Sequence, residues 1–166
     1  MRIARWETAG GTWEGFVVDD TVVPFPGGLT VADVLARGLD HTRNLFEQVD
    51  PASATRIEDV RLLAPVVPTS IRDFVAFEEH VEGMTADAEG VGHVPPEWYE
   101  APTFYFTNPH TVLGPDDVLQ PPVTQRLDFE LELAIVVGAA PGVGESNLSA
   151  ADSASVIFGY TIMNDW

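Results

Sequence analysis

The chain contains no cysteine, which excludes disulfides, thiolate nucleophiles and cysteine-type zinc sites. It contains no lysine either: the 8 cationic side chains are all arginine. A lysine Schiff base and a P-loop lysine are therefore excluded within these residues. Positive charge is scarce overall. A formal net charge of −18 argues against nucleic acid or an anionic membrane as partner. It suits a protein that attracts cations, or one from a salt-adapted host, and charge alone does not separate the two. No apolar run is long enough to span a bilayer. The opening Met1-Arg2-Ile3-Ala4-Arg5-Trp6 lacks the apolar stretch of a signal peptide, so the expected location is cytoplasmic. Several catalytic templates are missing too. There is no Gly-x-Ser-x-Gly elbow and no His-Glu-x-x-His, and Gly142-Val143-Gly144 lacks the third glycine of a dinucleotide fingerprint.

What remains is an ordinary globular composition. The 166 residues, 45% of them hydrophobic, suffice for one core or one and a half. Residues 1–63 read as a small β-rich leading domain with short helices. Ile3 to Glu7 and Trp13 to Val18 alternate as strands around Gly10-Gly11, and Asp19-Asp20 turns the chain into Thr21-Val22-Val23-Pro24. Thr30 is a favoured N-cap for a helix through Leu35. Gly38 ends that helix, and Asp40 is expected to cap a second one carrying Leu45, Phe46 and Val49. Pro51, Pro65 and Pro68 mark a connector, with a short strand expected over Val60 to Leu63. From Ile71 the character changes. Phe74, Phe77 and Val81 share a helical stripe, so a helix is predicted to start near Asp73. Thr103 to Phe106 reads as a short strand, and Gly114-Pro115-Asp116-Asp117 is turn chemistry.

The chemistry concentrates in Leu127-Asp128-Phe129-Glu130-Leu131-Glu132-Leu133-Ala134-Ile135-Val136-Val137. Side chains two apart on a strand share a face, so Asp128, Glu130 and Glu132 line up opposite Leu, Phe, Leu and Leu. The apolar run that follows predicts a strand buried in a core. Carboxylates held that close repel, and burying them without compensation costs several kcal/mol or forces protonation, about 2–7 kcal/mol even for a neutral polar group. A hard divalent cation relieves both problems. The competing reading is the solvent side of an antiparallel strand. Asp165 ends a second apolar strand pattern, Gly159 to Asp165, and reads as a ligand or as a turn residue. Asp73 reads as a ligand or as a helix cap. His80 follows Asp73 by two helical turns and adjoins Glu79 and Glu82. It reads as a general base or as a surface residue.

Taken in order, these segments resemble the fumarylacetoacetate hydrolase family. The matching stretches are Arg72-Asp73-Phe74 through Phe77-Glu78-Glu79-His80-Val81, Pro96-Glu97-Trp98-Tyr99, and Phe104-Tyr105-Phe106-Thr107-Asn108-Pro109. They continue with Gly114-Pro115-Asp116-Asp117, Leu127 to Leu133, and Phe158 to Trp166. The likeness covers roughly residues 60 to 166; the leading region resembles the family's variable N-terminal part more loosely.

The resemblance implies an α+β, mainly β fold: an incomplete mixed β-roll over residues 64–166, truncated where the chain stops at Trp166. It implies an octahedral divalent metal, Mg²⁺ first and Mn²⁺ or Ca²⁺ as alternatives, held by Glu130, Glu132, Asp165 and Asp73. It makes His80 the catalytic base and Tyr105 a substrate contact, while Asp128 belongs to the motif without being a usual ligand. The implied activity is metal-dependent hydrolysis of a carbon–carbon bond in a 1,3-dicarbonyl or acylpyruvate. The alternatives are isomerisation, hydration or decarboxylation of a 2-oxo acid, or an inactive fragment. The implied partners are a small oxo acid or diketone and, for the full-length protein, a second copy in a homodimer. Two positions depart from the family pattern. Val75 stands where many relatives carry tyrosine, and Gly83 stands where one branch places the glutamate that pairs with its histidine.

Overall fold

The computed structural model describes residues 1–144 and 146–166. Its strands and helices run in the order β1 (Arg2–Thr8), β2 (Gly11–Val18), β3 (Thr21–Pro24), α1 (Val31–Arg37), α2 (Leu39–Phe46), β4 (Thr55–Arg56) and β5 (Arg61–Leu62). There follow β6 (Asp73–Phe74), α3 (Glu78–Thr85), α4 (Pro96–Glu100), β7 (Phe104–Tyr105), β8 (Glu130–Val137), α5 (Ala150–Ser153) and β9 (Ile157–Asp165). The structure thus mixes α and β elements. It divides into one unit of Met1–Val66 with Leu113–Trp166 and a second unit of Val67–Val112.

In the first unit the leading strands form a five-stranded sheet in the order β4-β3-β2-β1-β5. Two-residue turns set its register. Thr8 pairs with Gly11 and Val18 with Thr21. Asp19 takes φ 50, a left-handed conformation that aspartate tolerates better than most residues. In the middle of β2 the residues Phe16 and Val17 are both buried, so this sheet is covered on both faces. Ala4, Trp6, Val17 and Val22 pack on one side with Ile57, Val60 and Leu62. Phe16, Phe25, Val31 and Val34 pack on the other with residues including Leu45, Phe46 and Phe158. Phe16 meets Phe25 edge-on at 4.7 Å and Phe46 at 5.1 Å between ring centroids, the quadrupole-favoured arrangement for aromatic pairs.

The helices sit where their caps place them. Thr30 and Asp33 form a reciprocal capping box at the start of α1, satisfying two of the backbone N–H groups a helix start leaves open. A third donor, the Val31 N–H, goes to Glu14 Oε2 at 2.5 Å, while Glu14 Oε1 pairs with Arg5 Nε at 2.8 Å. One glutamate thereby ties α1 to the sheet. The cap of α2 is Gly38, not Asp40, which lies in the first turn. Gly38 has φ 85 and an added Cβ would lie 2.5 Å from the Ala139 carbonyl oxygen, so this junction is reserved for glycine. Ala139 N–H in turn donates to Leu35 O at 2.8 Å, and Phe158 joins the Phe16 cluster. These contacts moor one end of the β8–β9 pair to the leading sheet.

The predicted helix near Asp73 is replaced by a strand. Asp73 and Phe74 form β6, paired antiparallel with β7 through Asp73–Tyr105 and Phe74–Phe104. The helix begins only at Glu78, after Phe77 at φ −120 and ψ 130. The Phe74/Phe77/Val81 spacing suggested one continuous stripe, but non-local pairing claims its first member. In consequence Asp73 and His80 are not two turns apart on a helix face.

Candidate metal centre

β8 and β9 form an antiparallel ladder from Glu130–Asp165 to Val137–Ile157, with an irregularity at Val136/Val137. Residues directly opposite one another in such a ladder share a face. Glu130 therefore faces Asp165. Glu132, two residues on and paired with Met163, projects from the same side. Carboxylate oxygens of Glu132 and Asp165 come within 4.8 Å of each other. Glu132 and Asp165 are half-buried and Glu130 is exposed. Glu130 and Glu132 on one strand and Asp165, more than thirty residues later in sequence, thus share one face at the end of the ladder farthest from its mooring. Like charges so placed repel. A set of carboxylate oxygens alone is the donor chemistry of Mg²⁺, Mn²⁺ or Ca²⁺, not of zinc or copper, so these residues fit the implied hard dication.

The fourth acid of the motif is accounted for differently. Asp128 lies outside β8, and its Oδ1 accepts the adjacent Phe129 N–H at 2.9 Å. Strand alternation alone made Asp128, Glu130 and Glu132 equivalent; the ladder begins two residues too late for that. Asp128 instead lines a cleft of about 330 Å³ with Leu119, Pro121, Arg126, Leu127 and Trp166. The Trp166 ring sits 5.0 Å from Phe129.

The expectation that β8 dives into a core is corrected. Its acid-bearing side is the half-buried one. On the other side Leu131, Leu133, Tyr160 and Ile162 are between 61% and 72% exposed. Apolar residues on both faces of Ala134 to Val137 suggested burial on both, but only β9 pairs with β8 among the described residues.

The second unit carries the other candidate residues. Asp73 and Tyr105 are direct partners in the β6–β7 ribbon and so lie on one side of it. Arg72 stacks on the opposite side, its guanidinium carbon 5.3 Å from the Phe104 centroid and 4.0 Å from that of Phe106, within cation–π range. His80 is the third residue of α3, exposed to solvent, with its backbone N–H donating to Phe77 O at 3.1 Å. No hydrogen bond to its ring is found among the described residues. Gly83, on the same helix, has open space where a side chain would project.

Two residues that sequence reasoning quoted without a role prove to hold this helix. Tyr99 OH donates to Glu78 Oε1 at 2.7 Å, and Trp98 Nε1 donates to Val75 O at 2.9 Å. The bond to Glu78 holds the Tyr99 phenol above its ordinary range, because losing the proton would break the bond and place two negative charges together. Of the acids near His80, Glu78 is thus engaged by Tyr99. The adjacency of two bulky aromatics behind Pro95-Pro96 was the available signal, but their targets lie 21 and 23 residues away.

A family profile described as "Fumarylacetoacetate (FAA) hydrolase C-terminal" matches residues 69–166, more than half of the chain. Oxaloacetate tautomerase YisK of Bacillus subtilis is 29% identical in an alignment covering 99% of this chain and 60% of that protein. Fumarylacetoacetase of Arabidopsis thaliana is 27% identical, over 67% of this chain and 30% of its own length. Among solved structures, Cg1458 with inhibitor superposes with a TM-score of 0.65 at 27% identity, covering 99% of this chain and 54% of that one. A fumarylacetoacetate hydrolase from psychrophilic Exiguobacterium antarcticum superposes at 0.63 with 24% identity, a likeness of fold. The chain spans about half the length of the solved structures it matches.

Proposed function

The chain belongs to the fumarylacetoacetate hydrolase family, and from that premise we propose that the complete polypeptide is a divalent-metal-dependent enzyme that activates the carbonyl group of a small oxo acid or 1,3-diketone. The observation that carries this reading is the ladder register that sets Asp165 against Glu130, with a Glu132 oxygen within 4.8 Å of one on Asp165. Under this proposal residues 64–166 are the catalytic domain, part of a β-roll, and residues 1–63 a leading domain. Glu130, Glu132 and Asp165 hold Mg²⁺, with Asp73 as a further ligand and Mn²⁺ or Ca²⁺ as substitutes. When bound, such an ion supplies Lewis-acid withdrawal of electrons from the substrate oxygens.

His80 supplies the proton chemistry. His80 is exposed to solvent, and an imidazole ring offers one nitrogen to accept a proton and another to donate one. In the hydrolytic reading His80 Nδ1 or Nε2 takes a proton from water, the resulting hydroxide attacks the carbonyl carbon, and the adjoining carbon–carbon bond breaks. The departing carbon then receives a proton. Tyr105 positions the substrate by its hydroxyl.

A second reading has its own support. The match to the tautomerase spans 99% of this chain, against 67% for the fumarylacetoacetase. Gly83 also provides no carboxylate to orient His80 for water attack. In tautomerisation the histidine moves a proton between carbon and oxygen, and no water is consumed. Acylpyruvate and oxaloacetate assays of the Mg²⁺-loaded full-length protein separate the two. Pyruvate release from acylpyruvate supports hydrolysis; enol loss from oxaloacetate without pyruvate supports tautomerisation. Turnover of neither, or turnover unaffected by EDTA, contradicts the proposal.

A further inference from the structure

We propose that Tyr99 is a positioning residue for His80: by its hydrogen bond to Glu78 it fixes the rotational setting of α3, from which the imidazole is presented. This rests on the functional reading just given, in which His80 handles the proton, and adds the residue that aims it. His80 is exposed, and no hydrogen bond to its ring is found among the described residues. Where such a ring points is then set by the helix that carries it.

Helical spacing divides α3 into two faces. Glu78, Val81, Glu82 and Thr85 fall on one stripe, and His80 and Met84 lie on the opposite side. The contacts follow that division. Val81 is buried and Met84 is 67% exposed. Thr85 Oγ1 accepts the His93 N–H at 2.9 Å and donates to His93 O at 2.6 Å. At Gly92 an added Cβ would lie 1.8 Å from the Glu82 carbonyl oxygen, so the loop lies flat against the helix backbone. These contacts hold the C-terminal half of α3. At the other end the N-cap residue Phe77 makes no side-chain capping bond, and the tie comes from Tyr99 OH, which donates to Glu78 Oε1 at 2.7 Å. The Glu78 bond is the main reason the Tyr99 phenol is held above its ordinary range, and the charge of Glu82, one turn on, adds to it; Tyr99 thus faces the same stripe. Its own helix is anchored by Trp98 Nε1 donating to Val75 O at 2.9 Å. Tyr99 is 61% exposed, so its bond competes with water and adds little stability. What it supplies is direction: a tie on the packed stripe of the first turn fixes the angle at which the opposite face carries His80.

The test uses the full-length, Mg²⁺-loaded protein with oxaloacetate and acetylpyruvate as substrates. Tyr99→Phe keeps the ring and removes the donor. On whichever substrate the wild type turns over, it is expected to lower kcat roughly tenfold while leaving KM within about twofold, since a catalytic group displaced by an ångström costs up to about a hundredfold. Tm should stay close to that of wild type. Glu78→Ala should match Tyr99→Phe, and the double variant should be no worse than either single one, as for two residues acting as one unit. Glu78→Gln keeps an acceptor for the phenol and should recover most of the loss. Without substrate, hydrogen exchange read by mass spectrometry should be faster over residues 78–85 in Tyr99→Phe and Glu78→Ala than in wild type or Glu78→Gln. Should Tyr99→Phe not fold, the two Glu78 variants carry the same comparison. Wild-type kcat in Tyr99→Phe, a loss confined to KM, or equal losses in Glu78→Gln and Glu78→Ala overturns the inference and leaves the functional reading standing. Failure of the wild type to turn over either substrate overturns that reading and this inference with it.

Discussion

Neutralising one acid of the candidate metal centre should have opposite effects with and without metal. In Asp165→Asn the side chain keeps its shape and loses its charge. In the metal-free protein Asp165 faces Glu130 across the ladder and comes within 4.8 Å of Glu132. Directly opposed like charges cost roughly 0.2–1 kcal/mol. A second charge at this separation adds about 1 kcal/mol in bulk water, and more where the carboxylates are half-buried. Asp165→Asn should therefore stabilise the metal-free protein by about 1 kcal/mol, or roughly 2–4 °C in Tm for a chain of this size. With Mg²⁺ at a hundred times its Kd, wild type should gain about 2.7 kcal/mol, which is roughly 5–10 °C by the same conversion. The variant should gain almost none of this. Differential scanning fluorimetry with EDTA and with Mg²⁺ reads both arms. A variant destabilised in EDTA, or one that keeps the full Mg²⁺ shift, would refute the reasoning.

Two further outcomes follow from the first unit. Phe16 is fully buried and meets both Phe25 and Phe46, so Phe16→Ala should cost about 3–5 kcal/mol, measured by urea denaturation; a loss below about 1 kcal/mol would mean the site collapses freely. Asp117 accepts the Gly114 N–H at 2.7 Å and pairs with Arg61, and these bonds, the backbone one foremost, hold its carboxyl below the ordinary range. A depressed folded-state pKa contributes stability above the unfolded value of about 4 and loses it as pH falls through the folded one. Asp117→Asn should therefore lower Tm at pH 6 and flatten the dependence of Tm on pH below about 4. An unchanged acid limb would show that the pairing carries no linkage.

The leading sheet was legible because its signals are local. Alternation in β1 and β2, turn residues at Gly10 and Asp19, and the Thr30 cap each act over a few residues. The acids of the candidate site were legible as residue types, while their arrangement was not. Glu130 and Glu132 share a face by strand alternation, but Asp165 joins them through a register no local pattern encodes. Asp128 is separated from that pair only because the ladder starts at Glu130. The helix expected at Asp73 failed for a similar reason: a stripe of Phe74, Phe77 and Val81 favours helix locally, while pairing with Phe104 and Tyr105 favours strand. The exposed face of Leu131 and Leu133 could not be read at all, since apolar sequence predicts burial and says nothing of which neighbour provides it.

Direct titration of Mn²⁺ into metal-free full-length protein, followed by the loss of free-ion electron paramagnetic resonance signal, tests the metal assignment most simply. The account requires one saturable ion per chain, displaced by Mg²⁺ and abolished in Glu130→Gln and Asp165→Asn. Equal Mn²⁺ uptake by wild type and both variants would contradict it.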